Sequence, residues 1–213
     1  MKMEVFLGIQ TLETKRAVLE RGIDPSKLKF HKENGLYILN ERIEKCNSYV
    51  ENFSIWLFAQ LASNARTAVD TGGTSRTIAG GDVSTTLRLS MVPYTTGITT
   101  GGILVGTGTN ATTISSFAMQ TLIAHGTGGG QLSYGEITFV GWTTSGANSW
   151  YEISRTLTNS SGGNITVNEV GAVARMNATT TQHFLFERTI LGTPETINNG
   201  VAKTFIYKFM VTV

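Results

Sequence analysis

The sequence predicts a mainly β protein: an antiparallel β-sandwich or jelly-roll-like domain, with a small α/β segment at the N-terminus that contains one helix. Runs with apolar residues at every second position recur through the last two thirds of the chain. Clusters of Gly, Asn, Ser and Thr separate these runs. No second helical pattern of usable length appears after residue 66, which argues against a doubly wound α/β fold.

Composition narrows the class of protein. The 213 residues suffice for one hydrophobic core, with or without a small appendage. Charged residues make up only 15% of the chain, against about 25% in a typical soluble domain. A net charge of +2 gives no electrostatic reason to bind nucleic acid or an anionic membrane, so we expect neither partner. Low charge and 24 glycines suit turn-rich β structure and surfaces that meet other subunits.

The composition changes near residue 66. Residues 1–66 hold 10 basic and 8 acidic side chains, whereas residues 67–213 hold 7 of each in more than twice the length. We therefore predict an N-terminal segment over 1–66, a Gly/Thr-rich linker or loop over 67–82, and a β-sandwich domain over 83–213. The start of the chain lacks a long apolar stretch, so no secretory signal is expected.

The N-terminal segment carries two short strand patterns and one helix pattern. The strand patterns lie at residues 5–9 and 36–39, and the charged stretch 13–21 suits a helical turn or a loop. The helix is predicted over about residues 48–64, where Ser48 and Glu51 have the spacing of a capping box.

Apolar residues then recur along this helix at steps of three and four: Val50, Phe53, Trp56 or Leu57, and Leu61. Such a stripe favours core packing over an exposed oligomer contact.

The second part of the chain shows successive strand patterns, separated by turn signals. They span residues 87–92, 103–105, 136–142, 151–157, 165–170, 184–186, 190–191 and 205–213. In the last, Phe205, Tyr207 and Phe209 fall on one face and Thr204 and Lys208 on the other, which predicts one buried and one wetter face. The sequence Asn159–Gly163 predicts a hairpin turn.

Two glycine-rich fragments resemble catalytic loops but lack their partners. Gly106-Thr107-Gly108 follows a strand, yet the third glycine, the helix and the acidic residue of a dinucleotide site are missing. His125 precedes a run of glycines, as in an esterase oxyanion loop, but the stretch around Ser133 lacks the first glycine of a nucleophile elbow. Both fragments favour loops, and we expect no enzyme activity, catalytic residue or cofactor.

Metal and disulfide sites are not expected either. His31, His125 and His183 stand alone, and Asp70 and Asp82 do not form a calcium-loop pattern. Cys46 is the one cysteine, so no intrachain disulfide can form.

Glu169 places a charge inside a strand pattern. It could face solvent, block a sheet edge, or pair with an arginine such as Arg155 or Arg188. A solvated strand face is the favoured reading.

Several phrases of the second part occur in a characteristic order. They are Val105–Thr109, Leu122–Gly126, Ser154–Gly162, Ile165–Gly171, Leu185–Leu191 and Val211–Val213, with Asn52-Phe53 ahead of them. Over about residues 48–213 the chain resembles short structural proteins of tailed bacteriophages, often labelled virion, tail or tail-fibre proteins.

This resemblance implies a noncatalytic component of the virion, on the head, neck or tail, whose partners are other virion proteins and copies of itself. The alternative is a receptor- or glycan-binding tail-fibre or collar module, which exposed aromatic residues clustered on loops, such as Trp142 and Trp150, would favour. We expect the final strand, if it lies at a sheet edge, to pair with a neighbour. Residues 1–47 and 71–81 are expected to cross between subunits or to rest on a different virion protein.

Overall fold

The computed structural model describes residues 2–31, 35–46, 49–80, 89–90, 94–176 and 181–212. These residues form a mainly β protein with antiparallel sheets, which confirms the predicted class. The strands are β1 Lys2–Glu13, β2 Lys29–His31, β3 Leu36–Cys46, β4 Arg66–Val69, β5 Ser75–Ile78, β6 Leu89–Ser90, β7 Gly102–Gly106, β8 Ser133–Ser145, β9 Asn148–Thr158, β10 Ile165–Met176, β11 Gln182–Ile197 and β12 Ala202–Thr212. The helices are α1 Lys15–Glu20 and α2 Glu51–Ala62, with a 3-10 turn at Pro25–Lys27.

The largest sheet joins the two ends of the chain. Its strand order is β2-β3-β1-β12-β9-β8. The N-terminal strands are 12 and 11 residues long rather than short, because β1 pairs with β12 from Lys2 to Leu12 and with β3 on its other side. An arm that reaches to other subunits is therefore the wrong description of residues 2–13, which form an internal strand of the sheet.

Strand β12 is also internal. It pairs with β1 on one side and with β9 on the other over its whole length. Its main-chain groups are already used within the sheet, so the predicted edge pairing through this strand does not hold. The predicted burial of Phe205, Tyr207 and Phe209 is confirmed and Lys208 on the other face is partly exposed, but Thr204, predicted on the wetter face, is buried as well.

A second sheet has β10 at its centre. Strand β11 pairs with one edge of β10, and both β6 and β7 pair with the other. Buried residues of the two sheets belong to one core, for example Leu7 and Tyr207 from the first sheet and Val170 and Leu185 from the second. Of the predicted strand 87–92, only residues 89–90 lie within the described part of the chain.

The segment that leads from the first sheet to the second lies next to the segment that leads back. The Asn159–Gly163 segment leads from β9 in the first sheet to β10 in the second, so it is not the predicted hairpin. Asn159 is fully buried, and its Nδ2 donates to the carbonyl oxygens of Gly163 and Ile197 at 2.8 and 2.7 Å. Its side chain thereby ties this crossing to the end of β11, where the chain returns to the first sheet. Turn-forming residues specify a reversal but not which sheet the next strand joins.

A β-hairpin replaces most of the predicted linker. Strands β4 and β5 pair from Arg66 to Ile78, and the Asp70 carboxylate closes their turn by accepting from the backbone N–H groups of Gly72 and Thr74. Ala68 and Ile78 are buried beneath α2 in a small second core. Residues 81 and 82 of the predicted linker lie outside the described residues.

Helix α2 begins later than the capping-box pattern suggested. Its N-cap is Val50, without a side-chain cap, and Glu51 is the first helical residue rather than the third; Ser48 lies outside the described residues. The helix ends where Ser63 adopts a left-handed conformation. Helix α1 occupies the charged stretch for which a helical turn or a loop was expected, so the described residues form two α-helices rather than the one in the predicted fold class.

Candidate functional site

Several charged side chains are buried in the described part of the chain, and three of them fix neighbouring segments: Arg155 on β9, Glu169 on β10 and Glu187 on β11.

Glu169 on β10 is completely buried and pairs with Arg188 on β11, with 2.5 Å between Oε2 and Nε. The solvated strand face favoured for this residue is wrong, whereas the pairing with Arg188 is confirmed. The carboxylate also accepts from the backbone N–H groups of Gly108, Gln120 and Thr121 at 2.8–3.1 Å. Burial raises the pKa of Glu169, but the N–H groups of Thr121 and Gln120 and the Arg188 guanidinium together bring it below the ordinary value.

The close approach of this loop to the Glu169 carboxylate also explains the two glycines of Gly106-Thr107-Gly108. A Cβ atom at Gly106 would collide with the Glu169 carboxylate and with the carbonyl oxygen of Thr121. At Gly108 it would meet the carboxylate and the side chain of Gln120. The glycines therefore let the loop backbone approach an internal carboxylate, the role that a phosphate would have in a dinucleotide site.

Arg155 on β9 is buried without a carboxylate partner among the described residues. Its guanidinium donates to the carbonyl oxygens of Gly135, Gly101, Ile103 and Ile98 at 2.6–3.2 Å. It also lies over the ring of Tyr134, 4.8 Å from its centroid. These hydrogen bonds hold the loop before β7 against the first sheet. The sequence suggested a carboxylate partner for this residue, but main-chain acceptors leave no signal in a sequence.

Glu187 on β11 is the third buried charge, and sequence reasoning did not single it out. Its carboxylate accepts from the hydroxyls of Thr189 and Tyr207. Burial raises its pKa to about 7, so a substantial fraction carries a proton near neutral pH. Its backbone forms an isolated β-bridge with that of Tyr49, just before α2. The Cys46 thiol is also buried, and this burial raises its pKa to about 12.

The residues of the apparent catalytic fragments contact the main chain. Nδ1 of His125 accepts from the backbone N–H of Tyr134 at 3.1 Å. The Ser133 hydroxyl donates to the carbonyl oxygen of Gly126 at 3.3 Å. Ser133 is the first residue of β8 rather than a loop residue. These contacts do not form the serine–histidine hydrogen bond of a nucleophilic pair.

No cluster of three or more potential metal-ligating side chains is found among the described residues. Asp70 pairs with Arg76, with 2.8 Å between Oδ2 and Nε, and Asp82 and the side chain of His31 lie outside the described part. Burial lowers the pKa of His183. None of the helices within the described ranges is both long and apolar enough to cross a membrane.

Helix α2 presents an apolar surface. Phe53 and Trp56 pack on Phe186, as core packing predicts. Leu57 and Leu61 of the same predicted stripe are exposed, as is Phe58, and Leu61 has 80% of its surface accessible, so core packing is the wrong prediction for Leu57 and Leu61. Ile114 is exposed beside the helix start, where its carbonyl oxygen accepts from the N–H of Glu51 at 2.8 Å. We call Leu57, Phe58, Leu61 and Ile114 the α2 surface.

The two tryptophans proposed as a cluster lie apart. Trp142 on β8 is 63% exposed and stacks on Tyr151, with 6.2 Å between ring centroids. Trp150 precedes Tyr151 on β9 and therefore faces the other side of the sheet, where the Lys208 ammonium lies 4.1 Å from its ring centroid. Both are on strands rather than loops, so they do not form one aromatic site.

Comparison with models of known protein families gave no match, and comparisons with curated proteins and with solved structures gave none either.

Proposed function

We propose that this chain is a noncatalytic structural component of a tailed-phage particle, located in the virion on the head, neck or tail. Its partners are other virion proteins and further copies of itself. The proposal rests on the ordered phrases that resemble phage structural proteins and on the apolar α2 surface. Its two sheets, which share one core, would form the sandwich or jelly roll expected of such a domain.

The placement of the buried charges supports a noncatalytic role. Glu169, Arg188 and Arg155 are saturated by contacts within the chain, which stiffen the loops around the sheets. A catalytic acid or base needs an open side toward a substrate. These residues instead build a rigid framework suited to carrying intersubunit contacts.

The single observation that carries the assembly proposal is the α2 surface. Three large apolar side chains within one helical turn are exposed in a chain with only 15% charged residues. Exposed apolar surface of this kind marks protein–protein contacts. We place a subunit contact there.

Light scattering at micromolar concentration tests this contact. We expect the unchanged chain to form a homo-oligomer and Leu61→Glu to dissociate it, because a buried unpaired carboxylate is costly in an interface. Leu19→Glu is the matched control, since Leu19 is also exposed on a helix but lies on α1. A monomeric parent chain, or equal dissociation by both variants, would contradict the contact at α2.

A further inference from the structure

Strand β8 is an edge of the largest sheet and pairs with β9 on one side. At the start of β8 the other side is covered, since the N–H of Ile137 donates to the carbonyl oxygen of Tyr94 at 2.9 Å. The N–H of Gly97 likewise donates to the carbonyl oxygen of Tyr134 at 2.9 Å. From 138 to 145, no main-chain hydrogen bond reaches this side from any other described residue. This stretch is therefore an open sheet edge.

Two main-chain N–H groups of this stretch point away from β9. Ile137 directs its N–H to Tyr94, on the side away from β9, and Phe139 does the same because the direction alternates along an antiparallel strand. Ser145 and Asn148 oppose each other across a two-residue turn, which makes them a hydrogen-bonded pair. Thr144, one residue earlier, therefore also points outward.

Other exposed edges of the sheets carry residues that block strand pairing, whereas β8 does not. Strand β3 pairs with β2 only at Leu36–Ile38. The rest of that edge of β3 carries four charged side chains: Glu41, Arg42, Glu44 and Lys45. The edge strand β11 of the second sheet contains Pro194. Residues 137–151 hold neither a charged residue nor a proline, so β8 lacks both devices that keep edge strands apart.

A row of aromatic rings runs from the core to the open edge of β8. Phe209, which is buried, stacks on Tyr151 with 4.9 Å between ring centroids. Tyr151 in turn contacts Phe139 at 6.0 Å and Trp142 at 6.2 Å. Phe139 and Trp142 are 52% and 63% exposed, so the row ends in solvent at the edge strand. An added strand beside β8 would cover both rings and continue the core.

We propose that β8 pairs in antiparallel orientation with β8 of a second copy of this chain, around a two-fold axis perpendicular to the sheet. Such an axis keeps the same face of both sheets on the same side, so Phe139 and Trp142 of the two copies meet. Residues close to the axis lie near their own counterparts, where any charge would face a like charge. The uncharged stretch 137–151 meets this requirement. This contact goes beyond the one at the α2 surface and does not depend on it.

The area of this contact sets the concentration at which the dimer forms. The exposed parts of the four rings supply roughly 350–600 Å², for ring areas of about 150–250 Å² each. Stable interfaces bury about 1,200–2,000 Å² in total, so the paired strands must supply the remainder. We therefore expect a reversible dimer that is populated as the concentration rises from micromolar toward millimolar.

Sedimentation velocity over this concentration range tests the proposal. All measurements use the Leu61→Glu chain, so that association through the α2 surface does not contribute. We expect this chain to dimerise and an added Phe139→Lys to lower the association constant about tenfold or more, because two ammonium groups would be brought together. Ile43→Lys is the matched control, since Ile43 is also an exposed apolar strand residue but lies on β3, toward the opposite edge of the same sheet.

Hydrogen exchange resolved by NMR identifies the pairing itself. The amides of Phe139 and Thr144 should exchange more slowly as the dimer forms, in the Leu61→Glu chain and in the Ile43→Lys control. In the Phe139→Lys variant the Thr144 amide should remain unprotected over the same range. Circular dichroism checks the fold of each variant, and Trp142→Lys replaces Phe139→Lys if the latter does not fold.

Three results would overturn the self-pairing of β8: a chain that stays monomeric up to millimolar concentration, equal association of the Phe139→Lys and Ile43→Lys variants, or a dimer in which both amides exchange as fast as in the monomer. Protection of these amides only after another virion protein is added would also overturn it, and would assign the edge to that protein. Loss of the α2 contact alone leaves these outcomes unchanged, so the two contacts can fail independently.

Discussion

The Glu169 carboxylate on β10 lies against the Arg188 guanidinium on β11, with 2.5 Å between Oε2 and Nε and almost no solvent access to either side chain. Three backbone N–H groups complete the carboxylate's surroundings. The pair therefore links two strands to the loop that follows β7.

Replacing Glu169 with Gln should destabilise the protein by about 3–5 kcal/mol, because Arg188 would remain buried without its counter-charge. Urea unfolding measures this difference. The control is Glu20→Gln, which removes an exposed pair with Arg16 and should change the free energy of unfolding by about 0.5 kcal/mol or less. Equal effects of the two variants would contradict the anchoring role of Glu169.

The same anchor predicts a pH dependence at the acidic end. The pKa of Glu169 is lowered from 4.5 in the folded protein, so its contribution to stability is present above 4.5 and is lost as the pH falls through the folded value. Glu169→Gln should lack this acid-induced loss. Urea midpoints at stepwise lower pH provide the measurement, and parallel profiles for parent and variant would rule the contribution out.

Gly108→Ala should cost about 2 kcal/mol or more, because the new methyl group collides with the Glu169 carboxylate and the Gln120 side chain. Gly163→Ala is the control, since a Cβ atom there meets nothing within 4 Å. Thermal unfolding compares the two. A melting temperature for Gly108→Ala equal to that of the control would mean that the loop does not approach Glu169 as described.

Glu187 should make the protein less stable as the pH rises toward neutrality. Its pKa is raised from 4.5 to about 7, so its contribution is fully present below 4.5 and is lost as the pH rises through about 7. The change amounts to about 3 kcal/mol at most. Glu187→Gln cannot ionise and should flatten the stability profile between pH 4.5 and about pH 7; an unchanged slope would show that Glu187 does not titrate there.

Arg155→Lys should loosen the loop before β7, because one ammonium cannot reach four carbonyl oxygens in a planar arrangement. Hydrogen exchange should increase at residues 98–103, while an Arg66→Lys control should leave it unchanged. Arg66 is exposed and lies over Phe58, 4.5 Å from its ring centroid. Unchanged protection of that loop in Arg155→Lys would contradict its anchoring by the guanidinium.

The period-two alternation predicted much of the β structure. The run from Phe205 to Phe209 gave both the strand and its buried face, because side chains of a strand alternate between two environments. The pattern did not reveal that β12 is internal, since neighbours from distant parts of the chain leave no local signal. For the same reason the β1 pattern at residues 5–9 underestimated a strand of 12 residues.

The anchors were harder to predict. Glu169 and Arg188 are separated by 18 residues, and only the pairing of β10 with β11 brings them together. The glycines at 106 and 108 were a usable signal, because they indicated that another group lies close to the backbone there. The sequence did not show that this group is the Glu169 carboxylate. The Glu187 site had no signal, since its partners Thr189 and Tyr207 are ordinary strand residues.

Quantitative mass spectrometry of purified particles tests the central claim most directly. We expect this chain to be present in a fixed copy number relative to the major capsid protein and to remain with the particles through density-gradient purification. A chain that is absent from the particles, or that separates from them completely in the gradient, would contradict its assignment as a virion structural protein.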